Sequence, residues 1–346
     1  MDKFDIHDNS EDDFGYSLRP ETLDEFIGQE KAKEQLRIHI DAVKSRRAAK
    51  SKRTVKSKDY VLEHVLLVGP PGLGKTTLAK IIANEFGTNF KQTIGPALER
   101  LDLASTLTSL EEGDILFIDE IHRMKRISQE SLYPVLEEFE LDLAIGQGPG
   151  SDVVQVDIAP FTLVGATTRE GMLEGPFRTR IGIYIHLDYY TPEDIQQVIR
   201  INSAKLNIKI EEDAEYALAL RARGTMRIAN KLLANVRDYA QVKSGGVLTL
   251  DVVEEALEFF GIDERGFNAQ DYTYFRVLIQ NFNGRAGRKA LAIALSEDER
   301  TIEEVYEPHY IKEGFLKPTP SGRVATEAAY EYFGYPISKH PTLFDL

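Results

Sequence analysis

The sequence predicts an α/β P-loop domain on a parallel sheet, followed by a small all-α domain and a C-terminal winged helix. Three observations carry this expectation. Between Glu63 and Phe86 an apolar strand passes through a glycine-rich turn into a helix with a core-facing stripe. After Tyr190 the hydrophobic spacing becomes helical. Beyond Gln270, helical stretches give way to a strand–turn–strand with two prolines, Gly314–Thr326. The expected divisions are an acidic, disordered N-terminus over 1–16, a large domain over 17–190, a helical domain over 191–262 and a winged helix over 263–346.

Composition narrows the chemistry. The 346 residues include no cysteine, which excludes disulfides, thiolate metal sites and a cysteine nucleophile. No uninterrupted apolar run reaches the roughly 18 residues of a membrane span, and the first residues are acidic rather than signal-like, so a cytoplasmic protein is expected. The net charge of −14 argues against a uniformly basic, nucleic-acid-binding surface. Its distribution is uneven: residues 1–30 hold ten acids and two bases, whereas 44–58 hold eight bases and no acid. Blocks of this kind are usually solvated or disordered, with a nonspecific DNA contact as the alternative for 44–58. From Arg265 onward eleven acids face ten bases, so any basic face there must be local.

Taken in chain order, Gly69–Thr76 reads GPPGLGKT, a Walker A loop between its expected strand and helix. Gly72 and Gly74 let backbone N–H groups converge on a polyphosphate, and the helix N-terminus adds partial positive charge. Lys75 is placed to reach the β/γ-phosphates, Thr76 to hold Mg²⁺, and Thr77 to meet the α-phosphate. In the helix that follows, Leu78, Ile81, Ile82 and Phe86 face the core. The buried strand Asp114–Glu120 ends in adjacent carboxylates. Asp119 there is the candidate for organising Mg²⁺, and Glu120 for polarising the attacking water. Without the Walker A loop, two such acids at a strand end are more often a loop start or helix cap. A third strand, Phe161–Arg169, ends in polar residues, with Thr167 as a γ-phosphate or water sensor. Arg178 and Arg180 flank a turn in Pro176–Gly182, a stretch that itself contains no acid, a pattern suited to a finger acting on a neighbouring subunit.

Glu140–Val156 alternates around Gly-Pro-Gly and predicts a hairpin, either projecting or folded onto its own core. Thr191-Pro-Glu-Asp194 is a helix start. Helices are expected near 192–205, 211–222, 226–242 and 250–259, then a linker over Asp263–Ala269. In the wing, Lys317 and Arg323 are candidates for sequence-independent phosphate contacts.

The ordered set Leu18–Gln29, GPPGLGKTT, ILFIDEIHR, Tyr133–Gly148, FTLVGATTR, RGTMRIANKLL and RVATEAAYEYFG resembles the AAA+ ATPases, and within them the RuvB family of Holliday junction branch-migration motors. The resemblance runs from about residue 17 to 334. It implies ATP and Mg²⁺ as cofactors and a homo-hexameric ring on duplex DNA and Holliday junctions, with RuvA and the resolvase RuvC as partners. It implies that Leu18, Arg19 and Ile27 lie against adenine, and that Tyr190, Glu137, Glu138 and Phe139 join the nucleotide contacts. Arg227 becomes the sensor arginine of the helical lid, although a surface salt bridge is its ordinary alternative. Arg180 becomes the trans finger. The hairpin becomes the RuvA dock, through Leu143, Ile145, Val153 and Val154. Departures from the family pattern are Pro176–Gly182 (PFRTRIG), where the family has P-L-R-D-R-F-G, Met226 in place of proline, and a wing short of two arginines. Arg285, Arg288, Lys289 and Arg300 are candidates to compensate in DNA binding. Two other readings stay open on the residues alone: a clamp-loader-like assembly protein, and a DNA-deficient scaffold.

Overall fold

The computed structural model describes residues 18–49, 60–145 and 152–336. The chain divides into two compact units, one ending at Tyr190 and the other beginning at Thr191.

The first unit is built on β1 (Val65–Val68), β2 (Phe90–Ile94), β3 (Ile115–Asp119), β6 (Thr162–Thr167) and β7 (Ile183–His186), in the order β2-β3-β6-β1-β7. All neighbours are parallel. The central strands read VLLV, ILFID and TLVGAT, and are buried almost throughout because helices cover both faces of such a sheet. Covering helices are α1 (Glu30–Ala48), α2 (Lys75–Phe86), α3 (Arg100–Thr108) and α4 (Arg126–Glu138), with a single turn α5 (Gly175–Arg178). In α2, Leu78, Ile81 and Ile82 are fully buried as their spacing predicts, while Phe86 is half-buried beneath the Arg47 guanidinium, 4.9 Å from its ring centre.

That arginine revises the reading of the basic block. Residues 44–48 are not a solvated run but the end of α1, where Lys44 pairs with Glu85 at 2.6 Å and Arg47 donates to the Tyr60 carbonyl at 2.6 Å. The remainder of the block, 50–58, and the acidic segment 1–16 lie outside the described residues. β4 (Glu140–Ile145) and β5 (Asp152–Asp157) form the expected antiparallel hairpin, its Gly-Pro-Gly turn also outside the described residues.

The second unit begins with α6 (Pro192–Lys205), whose Thr191 cap is reciprocal: the Asp194 N–H donates to Thr191 Oγ1 at 3.1 Å, and the Thr191 N–H to Asp194 at 3.4 Å. β8 (Lys209–Ile210), α7 (Glu212–Arg221), α8 (Met226–Lys243), β9 (Val247–Leu248) and α9 (Leu250–Phe259) follow. The short parallel β8–β9 pair was not foreseen, since two residues carry no periodicity. Then come α10 (Ala269–Arg276), β10 (Arg285–Ala286), α11 (Arg288–Leu295), α12 (Glu299–Thr301), α13 (Glu307–Lys312), β11 (Leu316–Thr319), β12 (Gly322–Ala325) and α14 (Glu327–Tyr332). The three-stranded sheet β10-β12-β11 makes the wing.

Two expectations change here. Residues 263–269 are not a loose linker: Asp263 accepts from the Arg265 and Phe267 N–H groups, and Phe267 is a fully buried hub for Tyr310, Phe315 and Phe333. Within the helical stretches expected beyond Gln270, Arg285 lies instead on β10 opposite Val324, and a helix starts only at Arg288.

Candidate active site

Strand register assembles the site. Val68, the last residue of β1, lies opposite Thr167, the last of β6, and Ile118 of β3 lies opposite Gly165. The P-loop, Asp119–Glu120 and Thr167 therefore share the carboxyl edge of the sheet, the edge at which doubly wound sheets bind ligands.

The loop itself is held at several points. Gly69, Gly72 and Gly74 have φ of +155°, +82° and +91°. A Cβ on Gly69 would stand 2.6 Å from the Leu187 carbonyl oxygen, so only glycine admits this approach. The Gly69 N–H donates to the Thr167 carbonyl at 3.1 Å, tying loop to sensor strand. Lys75 is buried, and its ammonium donates to the carbonyls of Gly69 (2.7 Å) and Pro70 (2.8 Å). Tyr190, also buried, donates its hydroxyl to the Leu73 carbonyl at 2.9 Å. Thr76 and Thr77 open α2, half-exposed. Leu18 is buried, Arg19 and Ile27 half-buried. Phe26, which the sequence reading passed over, lies buried beneath Gly74.

Asp119 accepts the Glu120 N–H at 2.9 Å, and Glu120 adopts φ +47°, a sharp exit from the strand that leaves its carboxylate paired with Arg123. Thr167 is buried; its hydroxyl accepts the Arg169 N–H at 2.9 Å and lies 3.0 Å from His122 Nδ1. Burial holds the His122 pKa below the ordinary value, with the Glu120 charge opposing and Arg169 and Arg123 reinforcing that shift.

Arg180 and Glu137 meet. The guanidinium donates to Glu137 at 3.1 Å and to the Pro176 carbonyl at 2.7 Å, and rests 4.7 Å from the Tyr133 ring centre. Glu138 is exposed. Phe139 is half-buried and packs against the core, edge-on to Phe161 at 5.9 Å and to His64 at 6.3 Å. His64 is buried between α4 and β6: the Leu163 N–H donates to Nδ1 at 3.0 Å, so Nε2 carries the proton toward the Leu136 carbonyl at 3.0 Å. Burial pushes its pKa down to about 4.

On the hairpin, Leu143 and Val154 are directly opposed and so share a face. Leu143 packs partly against the core, and Val154 is exposed. Ile145 and Val153 lie on the paired strands of the same hairpin.

In the second unit Arg227 is exposed on the first turn of α8. Lys317, Arg285, Arg288, Lys289 and Arg300 are exposed. Arg288 pairs with Glu303 at 2.7 Å, and Arg285 donates to Ser321. Arg323 departs from expectation. Its guanidinium turns inward onto Glu307, with three hydrogen bonds of 2.7–2.9 Å, and the Glu307 side chain is 1% exposed. A buried carboxylate demands such a partner, so Arg323 leaves the set of phosphate contacts. A second buried pair went unforeseen: Arg223 donates to Asp271 (2.5 and 3.3 Å) and to the Gly266 carbonyl (2.8 and 2.5 Å). The motif RGTMRIAN drew notice to Arg227, whereas its first arginine is the one engaged.

A Walker A loop, an Asp–Glu strand end and a polar sensor strand on one sheet edge, with helical and winged-helix modules downstream, define a P-loop ATPase of the AAA+ class. Residues 18–187 match the Holliday junction DNA helicase RuvB P-loop domain, 190–263 the RuvB AAA lid domain and 264–334 the RuvB C-terminal winged helix domain. The chain belongs to the RuvB family of Holliday junction branch-migration motors. It is 48% identical over 329 residues to the Holliday junction branch migration complex subunit RuvB of Kosmotoga olearia, covering 94% of this chain and 93% of that one. The RuvB branch migration motor of Thermotoga maritima superposes with a TM-score of 0.83 at 42% identity, over 93% of this chain and all of that one. A single-residue variant of that protein gives 0.82 at the same identity, over 93% of this chain and 99% of that one. Among the described residues no helix is long and apolar enough to cross a membrane.

Proposed function

We propose that the chain hydrolyses ATP between subunits of a homo-hexameric ring and uses the cycle to draw duplex DNA through a Holliday junction, with RuvA as docking partner and RuvC acting on the junction. The observation that carries this is the shared sheet edge of Lys75, Asp119–Glu120 and Thr167. Leu18, Arg19, Ile27 and Tyr190 flank the nucleotide, Gly72, Gly74 and Lys75 hold its phosphates, and Thr77 meets the α-phosphate. Glu120 orients the attacking water and Thr167 reads the γ-phosphate. Arg180 serves a neighbouring subunit's site, and Arg227 reports from the lid.

The donor set fits Mg²⁺. Thr76 and Asp119 would supply the hard oxygen ligands that such an ion prefers, beside the phosphates it accompanies. Held by these residues, the ion would supply positive charge to offset that of the phosphates. DNA is held by Lys317, Arg285, Arg288, Lys289 and Arg300, whose exposure suits sequence-independent phosphate contact. The hairpin meets RuvA through Leu143, Ile145, Val153 and Val154.

The test measures ATP hydrolysis and dissociation of a synthetic four-way junction, with and without the matching RuvA, for the wild type, Lys75→Ala and Arg180→Ala. Loss of turnover in both variants, with nucleotide binding kept in Arg180→Ala, is expected. ATPase activity without junction movement in the wild type would return weight to a loader or scaffold.

A further inference from the structure

Residues four apart on a helix share a face, so α4 presents Tyr133 and Glu137 side by side. Both meet one guanidinium. Arg180 lies with its Cζ over the Tyr133 aromatic face, 4.7 Å from the ring centre, and donates from one terminal nitrogen to Glu137 at 3.1 Å. The other terminal nitrogen donates to the Pro176 carbonyl at 2.7 Å. With these bonds made and Nε buried without an acceptor, a second N–H on each terminal nitrogen remains unengaged among the described residues. That remaining pair sits on a planar fork of the kind that matches phosphate oxygens.

The contact is built into the fold. Phe177 and Ile181, on either side of the arginine in sequence, are buried, and the Arg180 N–H donates to the Phe177 carbonyl at 3.2 Å. Just beyond, the Gly182 and Ile183 N–H groups both donate to the His64 carbonyl, at 3.2 and 3.0 Å, which ties the turn to the sheet. Opposite, buried Leu132, Val135 and Leu136 fix the rotation of α4 and so the face that carries Tyr133 and Glu137. Only 20% of the Arg180 side chain is exposed, low for an arginine that serves another subunit. A finger free to swing spends most of its time in rotamers that miss the phosphate, whereas a stacked one has its rotamer chosen beforehand.

We infer that Tyr133 is a positioning residue for the trans-acting arginine. Its aromatic face holds the Arg180 guanidinium flat, Glu137 and the Pro176 carbonyl fix the fork within that plane, and the outer N–H groups are thereby presented to a phosphate of the neighbouring subunit's ATP. This rests on the role proposed above for Arg180. An aromatic face suits the task better than a second carboxylate, because it attracts the cation without cancelling the charge that a phosphate needs.

The experiment is a set of steady-state ATPase measurements with duplex DNA on the full chain: wild type, Tyr133→Phe, Tyr133→Leu, Arg180→Ala and the double variant Tyr133→Leu/Arg180→Ala, with Lys75→Ala as the blank. Misplacing a catalytic group costs up to about 100-fold, so Tyr133→Leu is expected to lower kcat by roughly 10- to 100-fold, with KM for ATP changing less than about threefold. Phenylalanine keeps the aromatic face, and Tyr133→Phe is expected to recover most of the loss. In the Arg180→Ala background, Tyr133→Leu should add nothing, because its whole effect passes through the guanidinium. Losses that multiply in the double variant, or a phenylalanine as damaging as leucine, would overturn the inference. An Arg180→Ala enzyme with wild-type kcat would instead overturn the assignment of Arg180 itself. Should the leucine variant not fold, phenylalanines of increasing ring fluorination at position 133 weaken the attraction for a cation at nearly constant size. A kcat that falls stepwise along that series supports the inference, and a flat series refutes it.

Discussion

Replacing Arg223 with methionine removes a guanidinium that joins the start of the lid's third helix to the winged helix. Its side chain is 11% exposed and that of its partner Asp271 is 1% exposed. The substitution deletes both bonds to Asp271 and both to the Gly266 carbonyl while keeping most of the aliphatic volume. Breaking a buried pair from one side costs about 3–5 kcal/mol, because a charge is left without its counter-charge. Asp271 retains the Tyr310 hydroxyl at 2.6 Å and the Asn268 N–H at 2.6 Å, which sets the expected loss at the lower end, about 3 kcal/mol. For a unit of this size each kcal/mol moves the midpoint by about 2–4 °C, so the second unit should melt about 6–12 °C lower. Differential scanning calorimetry of the full chain follows this transition. In an Asp271→Asn background, where no charge remains to be stranded, the same arginine substitution should cost less than half as much. A drop below about 2 °C, or an undiminished loss beside Asn at 271, would refute the reasoning.

Acid should destabilise both units through buried histidines. The pKa of His64 is about 4 and that of His309, which is held low by burial and then by Arg223 and Lys312, is about 3, against 6.5 when unfolded. The unfolded chain takes up these protons first, so stability is complete above pH 6.5 and falls by about 1.4 kcal/mol per histidine for each pH unit below it, toward the folded values. Melting scans at pH 7.5 and 5.0 should show this, His309→Phe should flatten the slope for the second unit, and a pH-independent midpoint would dismiss it. On DNA, Lys289→Ala should lower the slope of log affinity against log salt by about 1, whereas Arg323→Ala should leave that slope unchanged and lower the melting temperature, since Glu307 then loses its partner. The opposite pattern in filter-binding titrations would return Arg323 to the DNA surface. Gly69→Ala should weaken ATP binding by about tenfold or more by calorimetric titration, because its Cβ cannot stand 2.6 Å from the Leu187 oxygen without shifting the loop.

The large domain was legible because its chemistry is local. Walker A, the Asp–Glu strand end and the sensor strand each announce themselves within ten residues, and parallel topology brings their ends to one edge. Thr191 likewise declared its helix by a cap whose partners lie three residues away. What stayed hidden depends on pairs distant in the chain. Arg223 and Asp271 are 48 apart, and each alone reads as a surface charge. Arg323 looked like a wing cation because Glu307 resembles any other acid of a charged helix until it is seen buried. His122 stands in plain view within IDEIHR, yet its link to Thr167 spans 45 residues and passes through the packing of Ile121 on Gly165. The hairpin was visible as alternation, but which apolar residues share a face depends on a register that alternation leaves open by one residue.

Tyr190 carries a consequence of its own. Its hydroxyl holds the carbonyl of Leu73 in the middle of the P-loop, and the next residue, Thr191, is the cap of the first lid helix. The hold on the loop and the cap of the helix are thus made by adjacent residues but by separate groups, so Tyr190→Phe would free the Leu73 carbonyl and loosen the nucleotide loop while leaving the Thr191–Asp194 cap intact.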